Sequence, residues 1–586
     1  TAGYFDITSA IRWNTDNEVV IRIGAHPAAL PASIPTGTDF EKLKWTPGIY
    51  DKVALYLSDN PVIETIQVAP RINPPRITIQ TVLRNYGKSA ANAQIGHSVT
   101  EWRGGKPVTR TTPRKVMLSP GGTETLTEDI PLPGARLWSP EDPFLYVLKT
   151  TSGGDSAETR FGVREFRYDT PTRRAWLNGK PYFLRGSNIT LHRFFEDPKC
   201  GHLPWDEAWV RKLLAEIPKK QMHWNSFRFC IGPAPEFWFE VADEAGLLIQ
   251  NEYFIWTGKE SWAGHAERWN EWSVPQLFTE YREFMRDHWN HPSMALWDAS
   301  NETDAAVLAE KIIPEVRKLD LSNRPWENGY NLPSGPDDPV EDHPYLFSRV
   351  QSGGKFLMTD LENMTGAKST NSPHPTGHAA FINEYGWLWL NRDGTPTVLT
   401  DKIYERLVGA NATPEQRFKK NAYLLAGLTE FWRAHRNFAG VLHFVYLMSS
   451  YPGVYTSDHF RDVERLELEP HFAEWVGESF KPLGVYVNFW QDTVKTSARG
   501  QYAVMLVNDY QHDVNGKLTL TWVSEAGEEA ARAEREFTLA PNGQMSYDIP
   551  LATPAKPGRY TLRAVAASQQ VRDTKPTISR REVRVE

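Results

Sequence analysis

The sequence has little cysteine, no long hydrophobic run and no strong excess of charge. Its 586 residues include only Cys200 and Cys230, too few for a zinc cluster or a disulfide framework. No apolar stretch reaches the ~18 residues that a transmembrane helix needs, so we expect no membrane span. The formal net charge of -7 gives no reason to expect nucleic acid or an anionic membrane as a partner.

The first residues also lack the basic and apolar segments of a signal peptide. A processed or truncated start would look the same, and two cysteines do not fix the compartment. Localisation therefore stays open, with the periplasm or the cell exterior favoured over the cytoplasm. The oligomeric state stays open as well, a homo-oligomer included.

Aromatic residues are abundant: they make up 12% of the chain, and 22 residues are tryptophan. Such an excess serves thick hydrophobic cores, or it serves the stacking of sugar rings on indoles. Composition alone does not choose between these uses. The length exceeds what one core supports and predicts roughly three to five domains.

The pattern of apolar residues divides the chain into four ranges. Residues 1–75 and 76–167 alternate like short strands, and the second range suits an immunoglobulin-like β-sandwich. Residues 168–482 alternate strands, such as the one predicted at 294–297, with helices, which predicts a (β/α)8 TIM barrel. Residues 483–586 return to strands and predict a closing β-sandwich. The expected fold class is thus multidomain, with a barrel flanked by β-sandwiches.

Two glutamates follow apolar strands within the predicted barrel. Asn301-Glu302 comes after the predicted fourth strand, and Asn383-Glu384 comes after the seventh. Working residues of a TIM barrel lie at the carboxyl ends of its strands. Glycoside hydrolysis needs one protonated carboxyl to assist the leaving oxygen and one carboxylate on the other side of the sugar. Either glutamate alone could be a solvated loop residue, but the pair favours this chemistry.

Several motifs in order resemble those of glycoside hydrolase family 2, which holds β-galactosidases, β-glucuronidases and β-mannosidases. They are Trp45-Thr46-Pro47-Gly48-Ile49-Tyr50, Arg185-Gly186-Ser187-Asn188, Asn225-Ser226-Phe227-Arg228 and the stretch from His291 to Glu302. The resemblance implies a TIM-barrel catalytic domain. It also implies that residues 1–75 are the C-terminal part of a sugar-binding jelly roll.

By this resemblance the enzyme is a retaining exo-glycosidase with Glu302 as acid/base and Glu384 as nucleophile. Asn301 would bind the sugar 2-hydroxyl, Arg228 would point at Glu384 and keep it ionised, and Tyr345 would donate a hydrogen bond to it. No cofactor is required. Some members of the family bind magnesium or sodium near the pocket, but no compact carboxylate cluster here makes a metal compelling.

Four further residues are candidates for binding sugar. His192, His343 and His443 could meet hydroxyl groups, although a single histidine of this kind is more often structural. Trp387 follows the nucleophile closely and is the best candidate for stacking on a sugar ring, with core packing as the alternative.

The leading activity is that of a β-galactosidase acting on an oligosaccharide or a polysaccharide-derived glycoside. The absence of an Asn-x-Lys after the eighth predicted strand argues against a β-glucuronidase. A β-mannosidase, an arabinopyranosidase and a non-catalytic carbohydrate-binding protein on the same fold remain alternatives.

Overall fold

The structure is a computed structural model, and its strands are numbered β1–β31 and its α-helices α1–α9 along the chain. It describes residues 3–21, 23, 39, 41–44, 48–256, 274–366, 377–571, 573 and 575–586. The chain forms two compact units, Thr1–Phe166 with Phe229–Gly335 and Arg167–Arg228 with Pro336–Glu586. None of the helices in these described ranges is long and apolar enough to cross a membrane.

The first sandwich begins earlier than the sequence predicted. Strand β1 (Val62–Ile72) pairs with β2 (Pro75–Arg84), so the predicted boundary at 75/76 falls inside one hairpin. The Asn73-Pro74 turn signal joins two strands of one sheet and does not separate two domains. The described residues before Val62 contain no helix or strand, and a jelly-roll origin for them stays a prediction. Trp45, Thr46 and Pro47 of the family motif lie outside the described residues.

Two antiparallel sheets build this sandwich in the first unit. One has the order β1-β2-β6, and the other has the order β10-β9-β3-β4 with β5 beside β3. Their remaining members are β3 (Ala91–Glu101), β4 (Pro107–Arg110), β5 (Arg114–Leu118), β6 (Thr123–Pro131), β9 (Tyr146–Thr151) and β10 (Ser156–Phe161), with the short pair β7 (Trp138–Ser139) and β8 (Asp142–Pro143). Alternate residues of β2 are buried, as expected for a sheet with one face in a core.

The first unit also contains three parallel strands, β16 (Leu248–Glu252), β17 (Met294–Asp298) and β18 (Trp326–Glu327), in the order β18-β17-β16. All residues of these strands are buried, as is usual when helices cover a parallel sheet. The helices of this part are α3 (Glu236–Ala245), α4 (Val274–His288) and α5 (Ile313–Val316). Arg164 ties the sandwich to this layer, since its Nε donates to the Pro292 carbonyl at 2.8 Å.

The second unit contributes five more parallel strands, in the order β15-β14-β21-β20-β19. They are β14 (Leu184–Ile189), β15 (Ser226–Phe229, whose last residue belongs to the first unit), β19 (Val340–Asp342), β20 (Ala380–Ile382) and β21 (Gly440–Leu447). Small antiparallel pieces accompany them: β11 (Phe166–Asp169), β12 (Arg174–Leu177), β13 (Lys180–Tyr182), β22 (Phe460–Asp462) and β23 (Glu467–Leu468). Counted over both units, eight parallel strands are the number that a TIM barrel requires.

The helices of the second unit follow its strands. They are α1 (Leu191–Phe194), α2 (Glu207–Arg211), α6 (Ser348–Gln351), α7 (Asp401–Val408), α8 (Pro414–His435) and α9 (Gly477–Ser479). The longest, α8, starts with a capping box in which Thr413 accepts from the Gln416 amide at 3.3 Å, with Pro414 at the first helical position. It ends where Arg436 takes a left-handed conformation.

The second unit closes with the C-terminal sandwich. Its sheets have the orders β24-β26-β29 and β25-β31-β30-β27-β28. The strands are β24 (Leu483–Val487), β25 (Thr493–Val494), β26 (Arg499–Asn508), β27 (Val514–Ser524), β28 (Glu529–Leu539), β29 (Gln544–Ala552), β30 (Gly558–Ala567) and β31 (Thr577–Val585). Asp509, whose side chain is buried, anchors this sandwich to α8 by accepting from Arg433 Nη2 at 2.7 Å.

Candidate active site

Each of the three parallel strands of the first unit ends at an acidic residue. Glu252, Asp298 and Glu327 stand at the same level of neighbouring strands and are buried. Asp298 is held in place because one of its oxygens accepts from Gln250 Nε2 at 2.8 Å and the other from the Ser300 amide at 3.2 Å. Asp298 thus fixes the start of the loop that carries Asn301 and Glu302.

Glu302 lies in this loop, directly after β17, and its side chain is half-buried. Its φ of 41° is in the left-handed region, which costs a residue other than glycine roughly 1–3 kcal/mol and is often found at functional sites. The hydroxyl of Tyr330 donates to Glu302 Oε1 at 2.8 Å. The backbone conformation and the Tyr330 hydroxyl together hold the Glu302 carboxyl group in one orientation.

The backbone around Glu302 is fixed from both sides. The amide of Asn301 donates to the Ile255 carbonyl at 2.8 Å, and Thr303 Oγ1 donates to the Asn301 carbonyl at 2.6 Å. Gly329 packs so closely that a Cβ there would come 2.6 Å from the Thr303 carbonyl oxygen. The side chain of Asn301 is buried with this loop.

Glu384 follows β20 in the second unit and is only 5% exposed. Arg228 Nη1 donates to its Oε1 at 2.5 Å, and the Tyr345 hydroxyl donates a short hydrogen bond to its Oε2. His343 Nδ1 lies 3.6 Å from the same Oε2. Charge-assisted hydrogen bonds of this kind favour an ionised carboxylate with a fixed orientation.

A second carboxylate, Glu341, organises the groups behind Glu384. Its Oε2 accepts from Asn383 Nδ2 at 2.6 Å, lies 2.9 Å from His343 Nε2 and pairs with Arg228 Nη2 at 3.4 Å. Burial alone would raise the pKa of Glu341, but the charges of His343 and Arg228 lower it to about 2. These two neighbours therefore favour the ionised form of Glu341.

The strands that carry these groups are joined by Asn188 at the end of β14. Its Nδ2 donates to the carbonyls of Asn383 at 2.6 Å and His443 at 3.0 Å. The same motif requires glycine at position 186, because a Cβ there would lie 1.9 Å from the Ser226 carbonyl oxygen. The Arg-Gly-x-Asn pattern thus serves the close approach of β14 to β15 and the alignment of the nucleophile strand.

Aromatic rings surround Tyr345 in the second unit. The half-buried Trp387 lies 5.0 Å from the Tyr345 ring and 5.2 Å from the Trp389 ring, measured between centroids. Its indole nitrogen donates to the Leu399 carbonyl at 2.9 Å, which fixes the ring plane. Trp387 therefore packs beside the candidate nucleophile, and a stacking role towards sugar stays a prediction.

The structure corrects the interpretation of His443. Its ring is fully buried in the barrel wall, 5.4 Å from the Phe472 ring and 5.8 Å from the Tyr385 ring. Its two nitrogens lie 3.2 Å from Ser187 Oγ and 3.2 Å from His459 Nε2. Burial lowers the pKa of His443 well below its ordinary value. Both nitrogens have partners in the core, which favours the structural alternative for His443 over a contact with sugar.

His192 differs from His443 in its surroundings. It is half-buried on α1, just beyond the carboxyl end of β14, with its ring 5.1 Å from that of Phe195. This location suits a residue at the mouth of a barrel, and its contact with sugar stays a prediction.

The second unit thus brings together Arg228, His343, Tyr345 and Glu384, whereas Asn301 and Glu302 belong to the first unit. Sequence reasoning missed Glu341 and Tyr330. For Glu341 a signal existed, since a carboxylate two residues before His343 shares the same side of an extended segment. No sequence periodicity or motif indicated that Tyr330 would contact Glu302.

A metal site is not evident inside either unit. Among the described residues of each unit taken separately, no three His, Cys, Asp or Glu side chains bring ligand atoms within 4.8 Å of one another. A role for magnesium or sodium stays a prediction, and no step described below uses one.

Curated relatives resemble this chain over about half of its length. A protein of Formosa agariphila provisionally named a β-glucuronidase is 27% identical over 322 residues, which are 52% of this chain and 29% of that relative. A β-galactosidase of Lactococcus lactis is 27% identical over 248 residues, 41% of this chain and 24% of the relative. The chain spans less than a third of either relative.

Solved structures share the fold. The exo-chitosanase of Amycolatopsis orientalis superposes with a TM-score of 0.65 at 15% identity, covering 90% of this chain and 64% of that one. Residues 62–164 match the family described as "Glycosyl hydrolases family 2", and residues 172–410 match "Glycosyl hydrolases family 2, TIM barrel domain". These matches cover more than half of the chain and confirm the predicted barrel with its flanking β-domains. The chain belongs to glycoside hydrolase family 2.

Proposed function

We propose that this chain is a retaining exo-β-glycosidase that removes a terminal β-linked sugar through a covalent glycosyl-enzyme. Glu384 is the nucleophile and Glu302 is the acid/base. The observation that carries the proposal is the environment of Glu384, a carboxylate held by the buried Arg228 and the Tyr345 hydroxyl at the end of a barrel strand.

In the first step Glu384 attacks the anomeric carbon while Glu302 gives its proton to the glycosidic oxygen. The bond from that carbon to the leaving oxygen breaks, and an ester to Glu384 forms. Arg228 and Tyr345 hold the attacking carboxylate in one orientation, which lowers the entropic part of the barrier. Asn301 binds the 2-hydroxyl, a contact that strengthens in the transition state.

In the second step Glu302, now without its proton, takes a proton from water. The resulting hydroxide attacks the anomeric carbon, and Glu384 leaves as a carboxylate. Two inversions give net retention of the β-configuration. The proposal requires the two carboxyl groups to act about 5–5.5 Å apart, the separation typical of retaining glycosidases.

The sugar is proposed to be a β-galactoside, in line with the curated relatives that carry that name. Relatives and solved structures named for β-glucuronidase and β-mannosidase make these the nearest alternatives. Without an Asn-x-Lys after the eighth strand, recognition of a uronic acid would need another basic group.

A panel of nitrophenyl β-glycosides tests this proposal: galactoside, glucuronide, mannoside, glucosaminide and arabinopyranoside. We expect turnover that is greatest on the galactoside and absent in Glu384→Ala, with the β-anomer of the sugar appearing first by NMR. A preference for another sugar would replace the galactoside assignment alone. Ligand binding with no turnover on any substrate would instead favour the non-catalytic carbohydrate-binding protein.

A further inference from the structure

His343 lies between two carboxylates beside the proposed nucleophile. Its Nε2 is 2.9 Å from Glu341 Oε2, and its Nδ1 is 3.6 Å from Glu384 Oε2. Its side chain is fully buried, as is that of Glu341. Each ring nitrogen therefore faces a carboxylate oxygen in a place where water does not screen the charge.

The protonation of the ring follows from this arrangement. A neutral imidazole has one N–H, so it would turn a lone pair towards one of the two carboxylates. An imidazolium has an N–H on both nitrogens, so it hydrogen-bonds to Glu341 and directs positive charge at Glu384, 3.6 Å away. Adjacent negative charge favours the charged form of histidine.

The net charge of this cluster of side chains also favours a protonated ring. The cluster consists of Arg228, His343, Glu341 and Glu384. Arg228 is fully buried and is the cation shared by Glu341 and Glu384, at 3.4 Å and 2.5 Å. With neutral His343 these groups carry a net charge of minus one, and a buried charge without compensation is costly. Among these four groups of the second unit, a protonated ring gives two cations for two anions.

We infer that Glu341 is a positioning residue that holds His343 as an imidazolium, with one N–H on Glu341 and the other directed at Glu384. This inference rests on the proposed function for its meaning in catalysis. A cation beside Glu384 keeps the carboxylate ready to attack, and in the second step it stabilises the same carboxylate as a leaving group.

Several titratable or charged groups surround this ring. Glu341 is on the strand that leads into it, Glu384 follows β20, Arg228 belongs to β15, and the Tyr345 hydroxyl bonds to Glu384. Glu302 is placed at the same anomeric carbon by the proposed function. A glycoside with a dinitrophenyl leaving group needs no proton from Glu302, so it isolates the nucleophile side of the reaction.

The kinetic test compares kcat/KM on this dinitrophenyl glycoside across pH for wild type, Glu341→Gln and Glu341→Asp. In the Gln variant we expect the alkaline limb to move at least about one pH unit lower, because the anion that holds the proton is gone. The maximum should fall about 10–100-fold, with KM changed less than kcat. The Asp variant keeps the charge and should return the limb close to that of wild type. Glu158→Gln, at an exposed position on β10, is the matched control and should change neither.

Direct evidence comes from nitrogen NMR of histidine-labelled protein, with His343→Asn used to assign the signal. Wild type should show an imidazolium throughout the neutral range, and Glu341→Gln a ring that becomes neutral within it. A neutral His343 in wild type, or an unchanged alkaline limb in Glu341→Gln, would overturn the inference. If Glu341→Gln fails to fold, the wild-type spectrum alone decides. If wild type hydrolyses no glycoside, the proposed function fails while the spectrum still reports on His343.

Discussion

The two candidate carboxylates lie in different surroundings. Glu384 in the second unit receives hydrogen bonds from a guanidinium and a phenol and is almost fully buried. Glu302 in the first unit is half-buried, and it accepts a hydrogen bond from the hydroxyl of Tyr330. A cation stabilises an anion that must attack, whereas an acid that gives and regains a proton is hindered by a nearby fixed positive charge. Under the proposed roles, the cation beside Glu384 suits the residue that must attack as a carboxylate.

The largest effect is expected at the carboxylate with the cationic partner. Glu384→Gln removes the nucleophile and should lower kcat by at least ~10⁴-fold on every glycoside, whatever the leaving group. Steady-state kinetics on nitrophenyl and dinitrophenyl substrates measure this. If loss of Glu384 spared the dinitrophenyl substrate, the two roles would have to be exchanged.

Glu302→Gln should show the opposite dependence on the leaving group. Loss of a general acid costs about 10²–10⁴-fold for an alkyl or sugar leaving group. For a dinitrophenyl leaving group the first step should be nearly unaffected, so that a burst of dinitrophenol precedes a slow steady state. Added azide, which needs no general base, should restore turnover in this variant and give a β-glycosyl azide. Failure of azide to accelerate the variant would argue against Glu302 as the acid/base.

The tyrosines that donate hydrogen bonds to the two glutamates provide a further test of this difference. Tyr345→Phe removes a hydrogen bond to a charged group, worth about 1.5–3 kcal/mol, which corresponds to roughly a 10- to 150-fold loss in kcat/KM. Its melting temperature should change little, because the half-buried ring stays in place against Trp387 and Trp389. A loss smaller than threefold would show that the hydroxyl does not support the nucleophile.

Tyr330→Phe is the matched change in the first unit and should have the smallest effect. A hydrogen bond between neutral groups contributes about 0.5–1.5 kcal/mol, or roughly 2- to 12-fold in rate. We expect the effect to appear with poor leaving groups and to vanish with dinitrophenyl glycosides. Equal losses in Tyr330→Phe and Tyr345→Phe would remove the distinction between the two carboxylates.

Local pattern predicted most of the barrel elements. The apolar run at 294–297 became β17, Met294–Asp298, because a strand buried on both faces must be apolar throughout. Glu302 and Glu384 were found because they directly follow such runs. These features depend on neighbours in the chain, which sequence displays.

Features that depend on distant neighbours were missed or misplaced. Glu341 acquires its importance from Arg228 and Asn383, far away in the sequence. His443 was a candidate for binding sugar hydroxyls, whereas its ring packs on Phe472 and His459. A fully buried strand gives no alternation from which to predict the direction of a side chain. The predicted boundary at 75/76 divides the β1–β2 hairpin, because strand patterns on both sides of a short turn do not show whether the strands pair with each other.

The most direct test of the proposed chemistry is covalent trapping of the nucleophile. The protein is incubated with a 2-deoxy-2-fluoro-β-galactosyl dinitrophenyl substrate, whose fluorine slows the second step, and the digested product is mapped by mass spectrometry. We expect one sugar per chain, esterified to Glu384, with activity returning as the ester hydrolyses. A stable label on Glu302 or on another residue, in protein that is active on the unfluorinated substrate, would contradict it.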